Sequence, residues 1–175
     1  MELNDLQALS KFSDALAAEG FEVRILEKTQ ERPYDVLLIF LQLEDHPAGG
    51  LQLELSFIPH MEEQLSGLSL VQFFVGLTEN LAPDYAPELQ QVVININRFC
   101  PLVGFGILSQ PAMLCFRHTV MLPARLEDSL PLVVQTTWLI NYLMEMFGKN
   151  LTQVAEGRAS TAQAFKANPF AHLLT

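Results

Sequence analysis

Hydrophobic residues recur along the chain with two different spacings, and the spacings predict where helices and strands lie. Near the start, apolar side chains return every three or four residues, which predicts an amphipathic helix that ends before Gly20. These side chains are Leu3, Leu6, Leu9, Phe12 and Leu16. The next segments change to a spacing of two, which is the spacing of a strand with one buried face.

Three strand-like segments follow this helix. Residues 21–27 and 51–58 alternate between apolar and polar side chains, so each predicts a half-buried strand. Between them, Val36 to Leu41 form an unbroken apolar run. We expect this run to be a central strand, either covered on both faces or shielded on one face by a partner. The short connections favour an antiparallel meander.

The second half of the chain returns to helical spacing and then to strands. Residues 68–81 are apolar nearly all round and predict a buried helix, and residues 87–100 predict an amphipathic one. Residues 103–108 and 112–122 predict a hairpin that turns at Gln110-Pro111. A wide apolar stripe then predicts a long helix from about 129 to 147.

The order of these elements, α-β-β-β-α-α-β-β-α, predicts an α+β fold built on a single antiparallel sheet of about five strands. We place one domain over residues 1–148. Residues 149–175 are poorer in large apolar side chains, and we expect a C-terminal extension with one weak helix and a mobile tail. The tripeptide Asn168-Pro169-Phe170 in this extension fits a plain turn better than a recognition motif.

Composition narrows the class of partner. Hydrophobic residues make up 50% of the chain and charged residues only 17%, against about 25% charged in average soluble domains. The excess fits either a well-filled core or an apolar surface reserved for a partner. A net charge of −10 disfavours nucleic acid and anionic membranes. No apolar run approaches the ~18 residues of a spanning helix, and we expect a cytoplasmic protein with protein partners.

Candidate catalytic and metal-binding residues do not assemble into a recognisable site. Glu44, Asp45 and His46 are adjacent in one loop, and adjacent residues rarely converge on one ion. His60 lacks the helical histidine pair of a zinc site. Cys115 and His118 lie three apart on a predicted strand and so point to opposite faces. We expect buried thiols in a reducing compartment, no cofactor, no metal and no enzymatic activity.

Three segments carry a resemblance to a known family. They read LQQVVININRFCPLVGFGIL, AMLCFRHTVMLP and EDSLPLVVQTTWLINYLMEMF. The chain resembles the YbjN-like bacterial proteins, which look like relatives of type III secretion chaperones. Asn95, Asn97 and Arg98 match the family's Asn-containing turn after a helix, and Arg117 matches a second-strand arginine. The turn at Gln110-Pro111 departs from the family, and the 149–175 extension has no counterpart in it.

The resemblance implies an α+β sandwich, often dimeric, that binds extended segments of client proteins and has no catalytic residues. Some YbjN-like proteins are described as sensory or motility regulators. We therefore expect a non-enzymatic protein-binding module, chaperone-like or regulatory, that forms a homodimer and binds an extended or helical segment of a partner. The alternative is a small-ligand sensory or regulatory domain, in which Gly104 and Gly106 form the floor of a pocket beneath Phe73, Phe74 or Trp138.

The expected partner surface is a strip beside Leu53, Leu55 and Phe57, because three apolar-rich helices sharing the two faces of one sheet leave it short of cover. Acidic residues at its rim would select basic flanks of the partner: Glu54, Glu62 and Glu63. In the simplest alternative, the C-terminal tail covers this strip and the protein is a monomer. We also expect Trp138 to be partly buried, with its indole N–H near a polar group.

Overall fold

The computed structural model describes residues 5–43, 50–59, 65, 68–123 and 125–174. The described residues form one sheet of six strands in the order β1-β2-β3-β4-β6-β5. The strands are β1 Glu22–Leu26, β2 Val36–Phe40, β3 Gln52–Phe57, β4 Ser69–Thr78, β5 Phe105–Ser109 and β6 Ala112–Leu122. The chain is therefore an α+β protein with a single antiparallel sheet, as its pattern predicts.

In the described residues, one α-helix precedes the strands along the chain, one lies between β4 and β5, and three follow β6. They are α1 Asp5–Ala18, α2 Ala86–Phe99, α3 Leu126–Leu143, α4 Lys149–Ala155 and the short α5 Thr161–Ala164. A π-helical turn, Met144–Gly148, joins α3 to α4, so the long predicted helix is longer than expected at both ends. No helix in the described residues combines the length and the apolar character that crossing a membrane requires.

The sheet has six strands rather than about five because residues 68–81, predicted as a helix, contain strand β4. A segment that is apolar on nearly every side fits a buried helix and a buried strand equally well by periodicity. Valine and phenylalanine favour the strand. The burial along β4 alternates accordingly, since Val71, Phe73 and Val75 are buried while Phe74 between them is half-buried.

The apolar run that begins at Val36 forms an interior strand, which confirms the prediction. β2 pairs antiparallel with β1 on one side and with β3 on the other. Leu37 lies opposite both Ile25 and Leu55, and Ile39 lies opposite both Val23 and Leu53. Directly opposed residues share one face of a sheet, so these side chains form one apolar face across three strands.

The chain divides into two compact units. The first unit comprises Met1–Phe74 and His118–Asn141, and the second comprises Val75–Arg117 and Tyr142–Thr175. In the first unit, α1 buries Leu9, Phe12 and Leu16, and the ring of Phe12 stacks on that of Phe57 at 6.1 Å between centroids. Helix α1 thereby contributes to the core on the apolar side of β3.

The core of the second unit is a cluster of phenylalanine rings. Phe147 in the π-helical turn lies at its centre, with ring centroids 5.9 to 6.4 Å from its neighbours. Those neighbours are Phe99, Phe105, Phe165 and Phe170. Two of the four rings come from the segment after residue 148, so this segment supplies part of the core.

Residues 149–174 are packed into the second unit by further contacts. Leu151, Val154, Phe165 and Leu174 are buried. The side chain of Asn168 donates from Nδ2 to the carbonyl oxygen of Met146 at 2.7 Å and accepts from the backbone N–H of Phe170 at 2.9 Å. These bonds hold a turn at residues 168–170, in keeping with the turn interpretation. The proposed domain boundary at residue 148 stays a prediction.

Candidate functional site

The strip predicted to lack cover is covered. Leu53 and Leu55 are 0% exposed in the structure, and Phe57 is half-buried against Phe12. The expectation was wrong because helix α1 brings apolar side chains to this side of β3. Neither leucine is accessible to a partner.

The acidic rim residues have separate outcomes. Glu54 is exposed, and it points to the face of the sheet opposite Leu53 and Leu55, because successive side chains on a strand alternate. Glu62 and Glu63 lie outside the described residues, as do His60 and the loop residues 44–46.

The face that carries Glu54 has a more open apolar strip. Two rows of residues cross β1, β2 and β3 there. Arg24 lies opposite Leu38, which lies opposite Glu54. In the neighbouring row, Glu22 lies opposite Phe40, which lies opposite Gln52.

We call these six residues the Leu38–Phe40 strip. Leu38 and Phe40 are half-buried, and the four residues that flank them are exposed. The strip is thus an apolar line bordered by polar side chains on both sides. Val36, on the same face of β2, is buried, so the strip ends before it.

Strand β4 extends this surface. The backbone N–H of Ile58 donates to the carbonyl oxygen of Leu70 at 2.9 Å, which places β4 alongside β3. Alternation along antiparallel strands then puts Leu70, Gln72 and Phe74 on the same face as Glu54. All three side chains are half-buried, so the partly exposed apolar surface continues from β2 beyond β3.

In the described residues, the charged members of the strip have no ion-pair partner. Within the part of the chain that the structure describes, no ion pair or side-chain hydrogen bond involves Arg24 or Glu54. They stand two strands apart, about 10 Å at the spacing of neighbouring strands. Their charges are therefore available to groups outside the first unit.

The edges of the sheet offer less to a partner than its open face. Residues 23 and 25 of β1 direct their backbone groups outward, since residues 22, 24 and 26 face β2. Just beyond them, the backbone N–H of Phe21 donates to Leu16 and the Arg32 guanidinium donates to the carbonyl oxygen of Glu27. Two residues are too few for a stable added strand.

At the other edge, the side chain of Asn97 covers the start of β5. Its Nδ2 donates to the carbonyl oxygen of Phe105 at 2.8 Å, and its Oδ1 accepts from the backbone N–H of Phe105 at 3.2 Å. An amide side chain offers the same donor and acceptor as a strand residue. Asn97, one of the residues that carry the family resemblance, therefore occupies the position of a neighbouring strand.

The two glycines considered as a pocket floor differ from each other. A Cβ atom at Gly104 would lie 2.7 Å from Cε2 of Phe116 and 2.8 Å from the carbonyl oxygen of Arg117. The close backbone approach predicted for the glycines is therefore present at Gly104. At Gly106, nothing lies within 4 Å of an added Cβ. The Phe116 ring thus fills the space that a ligand above Gly104 would need.

Both cysteines are free and buried. Burial raises the pKa of the Cys100 thiol to about 11. Burial also raises the pKa of Cys115, while the nearby Arg117 lowers it in part. The thiolate is the nucleophilic form of cysteine, and both pKa values lie above physiological pH, so both residues are poor nucleophiles. Among the described residues, no group of three or more His, Cys, Asp and Glu side chains is placed to hold a metal ion.

Trp138 lies as predicted. Its side chain is half-buried, with its ring centroid 4.6 Å from that of Phe21, and its Nε1 donates to Oε2 of Glu19 at 3.4 Å. The apolar body of the ring is packed while its polar end meets a carboxylate.

Comparison of the chain with protein-family models, with curated proteins and with solved structures finds no match. The resemblance to YbjN-like proteins stays a prediction.

Proposed function

We propose that this protein is a non-enzymatic protein-binding module, chaperone-like or regulatory, and that it binds a partner protein on the Leu38–Phe40 strip. The observation that carries the proposal is the pattern of the strip itself. Two half-buried apolar side chains lie in a line between exposed polar ones, on an interior strand of the sheet. A protein interface has the same arrangement, with an apolar centre and a polar rim.

The size of the surface limits the kind of complex. Together with its continuation on β4, the strip extends about 17 Å along the strands, the length of five residues, and about 19 Å across four strands. The footprint of this surface is therefore about 300 Å². A stable interface of standard size buries about 800 Å² on each partner. The strip therefore suits a short segment or a transient contact. A partner can bury apolar surface there without displacing α1, which packs against Phe57 on the opposite face of β3.

The non-enzymatic part of the proposal has its own support. The two thiols are protonated at neutral pH and are buried, which removes them as nucleophiles. Buried free thiols also suit a reducing compartment, and we place the protein in the cytoplasm. The chaperone-like role rests on the family resemblance, with which the α+β architecture agrees. The ligand-sensing alternative has less support, because Phe116 fills the space above Gly104.

Site-specific photo-crosslinking tests the binding surface. Gln52 borders the strip, whereas Gln90 is an equally polar, exposed residue on α2. A photoreactive amino acid placed at either position in the full chain is irradiated at about 200 µM protein, above the expected constant for self-association, in an extract of the native cells. The adducts, including those to a second copy of the chain, are identified by mass spectrometry. We expect protein adducts at position 52 and few at position 90. Adducts at neither position, or equally at both, would contradict the proposed surface.

A further inference from the structure

We infer that the partner on the Leu38–Phe40 strip is a second copy of this chain, docked face to face. The inference rests on the proposed function, because it names the occupant of the same surface. It is carried by the charges of Arg24 and Glu54 on the two sides of the strip, because each of them faces an opposite charge when a second copy is turned by 180° and placed against it. Positive Arg24 and negative Glu54 stand on opposite sides of Leu38.

A twofold axis lying in the interface and parallel to β2 exchanges the two sides of the strip. Arg24 of one copy then stands across from Glu54 of the other, and the reverse pair forms at the same time. In the second row, Glu22 meets the amide of Gln52, which can donate to a carboxylate. Leu38 and Phe40 pack on their own counterparts. An isologous interface requires this self-complementarity of one patch.

The charges exclude one other axis, and the variants distinguish a second. An axis perpendicular to the strands and passing through the row of Leu38 would place Arg24 against Arg24, which is repulsive. An axis perpendicular to the strands but between the two rows would place Arg24 against Glu22 and Glu54 against Gln52, which is an equally favourable set of contacts. Only about the axis parallel to β2 does Arg24 face Glu54, so only there does Glu54→Arg place like charges opposite each other.

The dimer is expected to be weak. Its footprint is well under the standard size, and each chain carries a net charge of −10, so two copies repel each other at long range. We expect a dissociation constant on the order of 100 µM, because the interface is small and the net charges repel. The protein is then mostly monomeric at low micromolar concentrations and dimerises at hundreds of micromolar.

A charge-swap experiment tests the inference. The full chain, the Glu54→Arg variant and the Arg24→Glu variant are examined by sedimentation equilibrium at about 5 to 500 µM, which brackets the expected constant. Each variant alone places like charges opposite each other twice, and we expect at least tenfold weaker self-association. An equimolar mixture restores both opposite-charge pairs, and we expect association within about threefold of the unmodified chain, a difference of under about 0.7 kcal/mol.

A control separates the local effect from net charge. Glu79→Arg makes the same charge change at an exposed residue outside the strip, and it should leave self-association unchanged or slightly stronger. Arg24 and Glu54 are exposed, so both variants should fold, which far-ultraviolet circular dichroism checks. Recovery in the mixture also requires both variants to be folded.

Three results would overturn the inference. They are an unmodified chain that stays monomeric throughout the concentration range, a Glu54→Arg variant that associates like the unmodified chain, and a mixture that fails to recover. If the chain is monomeric and position 52 still crosslinks to other proteins, the proposed function stands and the occupant is a different protein. If it is monomeric and position 52 gives no adducts, both proposals fail.

Discussion

Two glycines in the second unit, two residues apart, meet very different surroundings. An added Cβ at Gly104 would press on a backbone carbonyl and a phenylalanine ring, while the space around Gly106 is open. A backbone oxygen held in a strand cannot move aside as the end of a flexible side chain can. The glycine at position 104 is therefore required by packing, whereas the one at position 106 is not.

Alanine substitutions should separate the two glycines. Gly104→Ala is expected to lower the free energy of unfolding by about 1–3 kcal/mol, because overpacking forces strands β5 and β6 to shift. Gly106→Ala should change it by less than about 1 kcal/mol and is the matched control. Urea unfolding followed by circular dichroism measures both. Equal losses would contradict the packing explanation for Gly104.

The raised pKa of Cys100 makes a prediction about pH. The pKa is 9.0 for an unburied thiol and about 11 in the folded protein, so the folded state holds the proton more tightly. The resulting stability is fully present below pH 9 and is lost as the pH rises towards 11. The free energy of unfolding of the unmodified chain should therefore fall more steeply across this window than that of Cys100→Ala. Parallel pH profiles would contradict the buried thiol.

At the scale of elements, the least predictable part of the chain is residues 68–81. Its apolar side chains occupy both faces of β4, so no alternation marks it as a strand. Its structure is decided by pairing with β3. A pattern read over a few neighbouring residues does not show which distant segment will pair with it. The alternating segment 51–58 was predicted correctly, because Leu53 and Leu55 face the core while Gln52 and Glu54 face outward.

The C-terminal segment gives the element-scale prediction. A chain that ends after Glu156 lacks Phe165, Phe170 and Leu174, two of which are buried and two of which contact Phe147. Truncating one buried phenylalanine to alanine costs about 3–5 kcal/mol, so we expect at least this loss in the free energy of unfolding. Circular dichroism during urea unfolding measures it. An unchanged midpoint would show that the segment is a mobile tail, as its composition predicts.

Trp138 makes the same experiment more informative. It is the chain's single tryptophan and belongs to the first unit, with Phe21 and Glu19 as its neighbours. Its fluorescence therefore reports on the first unit, whereas circular dichroism reports on both. In the truncated chain, we expect the dichroism to change at lower urea than the fluorescence. Coincident transitions at an unchanged midpoint would again favour a mobile tail.

At the scale of the whole molecule, the sequence predicts the fold class better than the surface. Alternation and the grouping of strands and helices were enough for an α+β protein with an antiparallel sheet, although the predicted order has a helix where β4 lies. The position of the candidate surface was not, because the run from Val36 to Leu41 is apolar on both faces of β2 and does not show which face a helix covers. Only the pairing of β2 with both neighbours, and the packing of α1, place Leu53 inside and leave Leu38 half-exposed.

The central claim is that the face carrying Leu38 is open to a partner, and thiol labelling tests it most directly. Leu38→Cys and Leu53→Cys variants are compared for their rate of reaction with a maleimide under native conditions, with the unmodified chain as the background of its two buried thiols.

The account predicts that the thiol introduced at position 38 reacts at least a hundredfold faster than the one at position 53, and that its rate falls as the protein concentration rises and copies associate. The thiol at position 53 should react only as the chain unfolds, because the leucine it replaces is 0% exposed. Equal protection of both positions at every concentration would mean that the chain covers this face itself, and it would contradict the proposed binding surface.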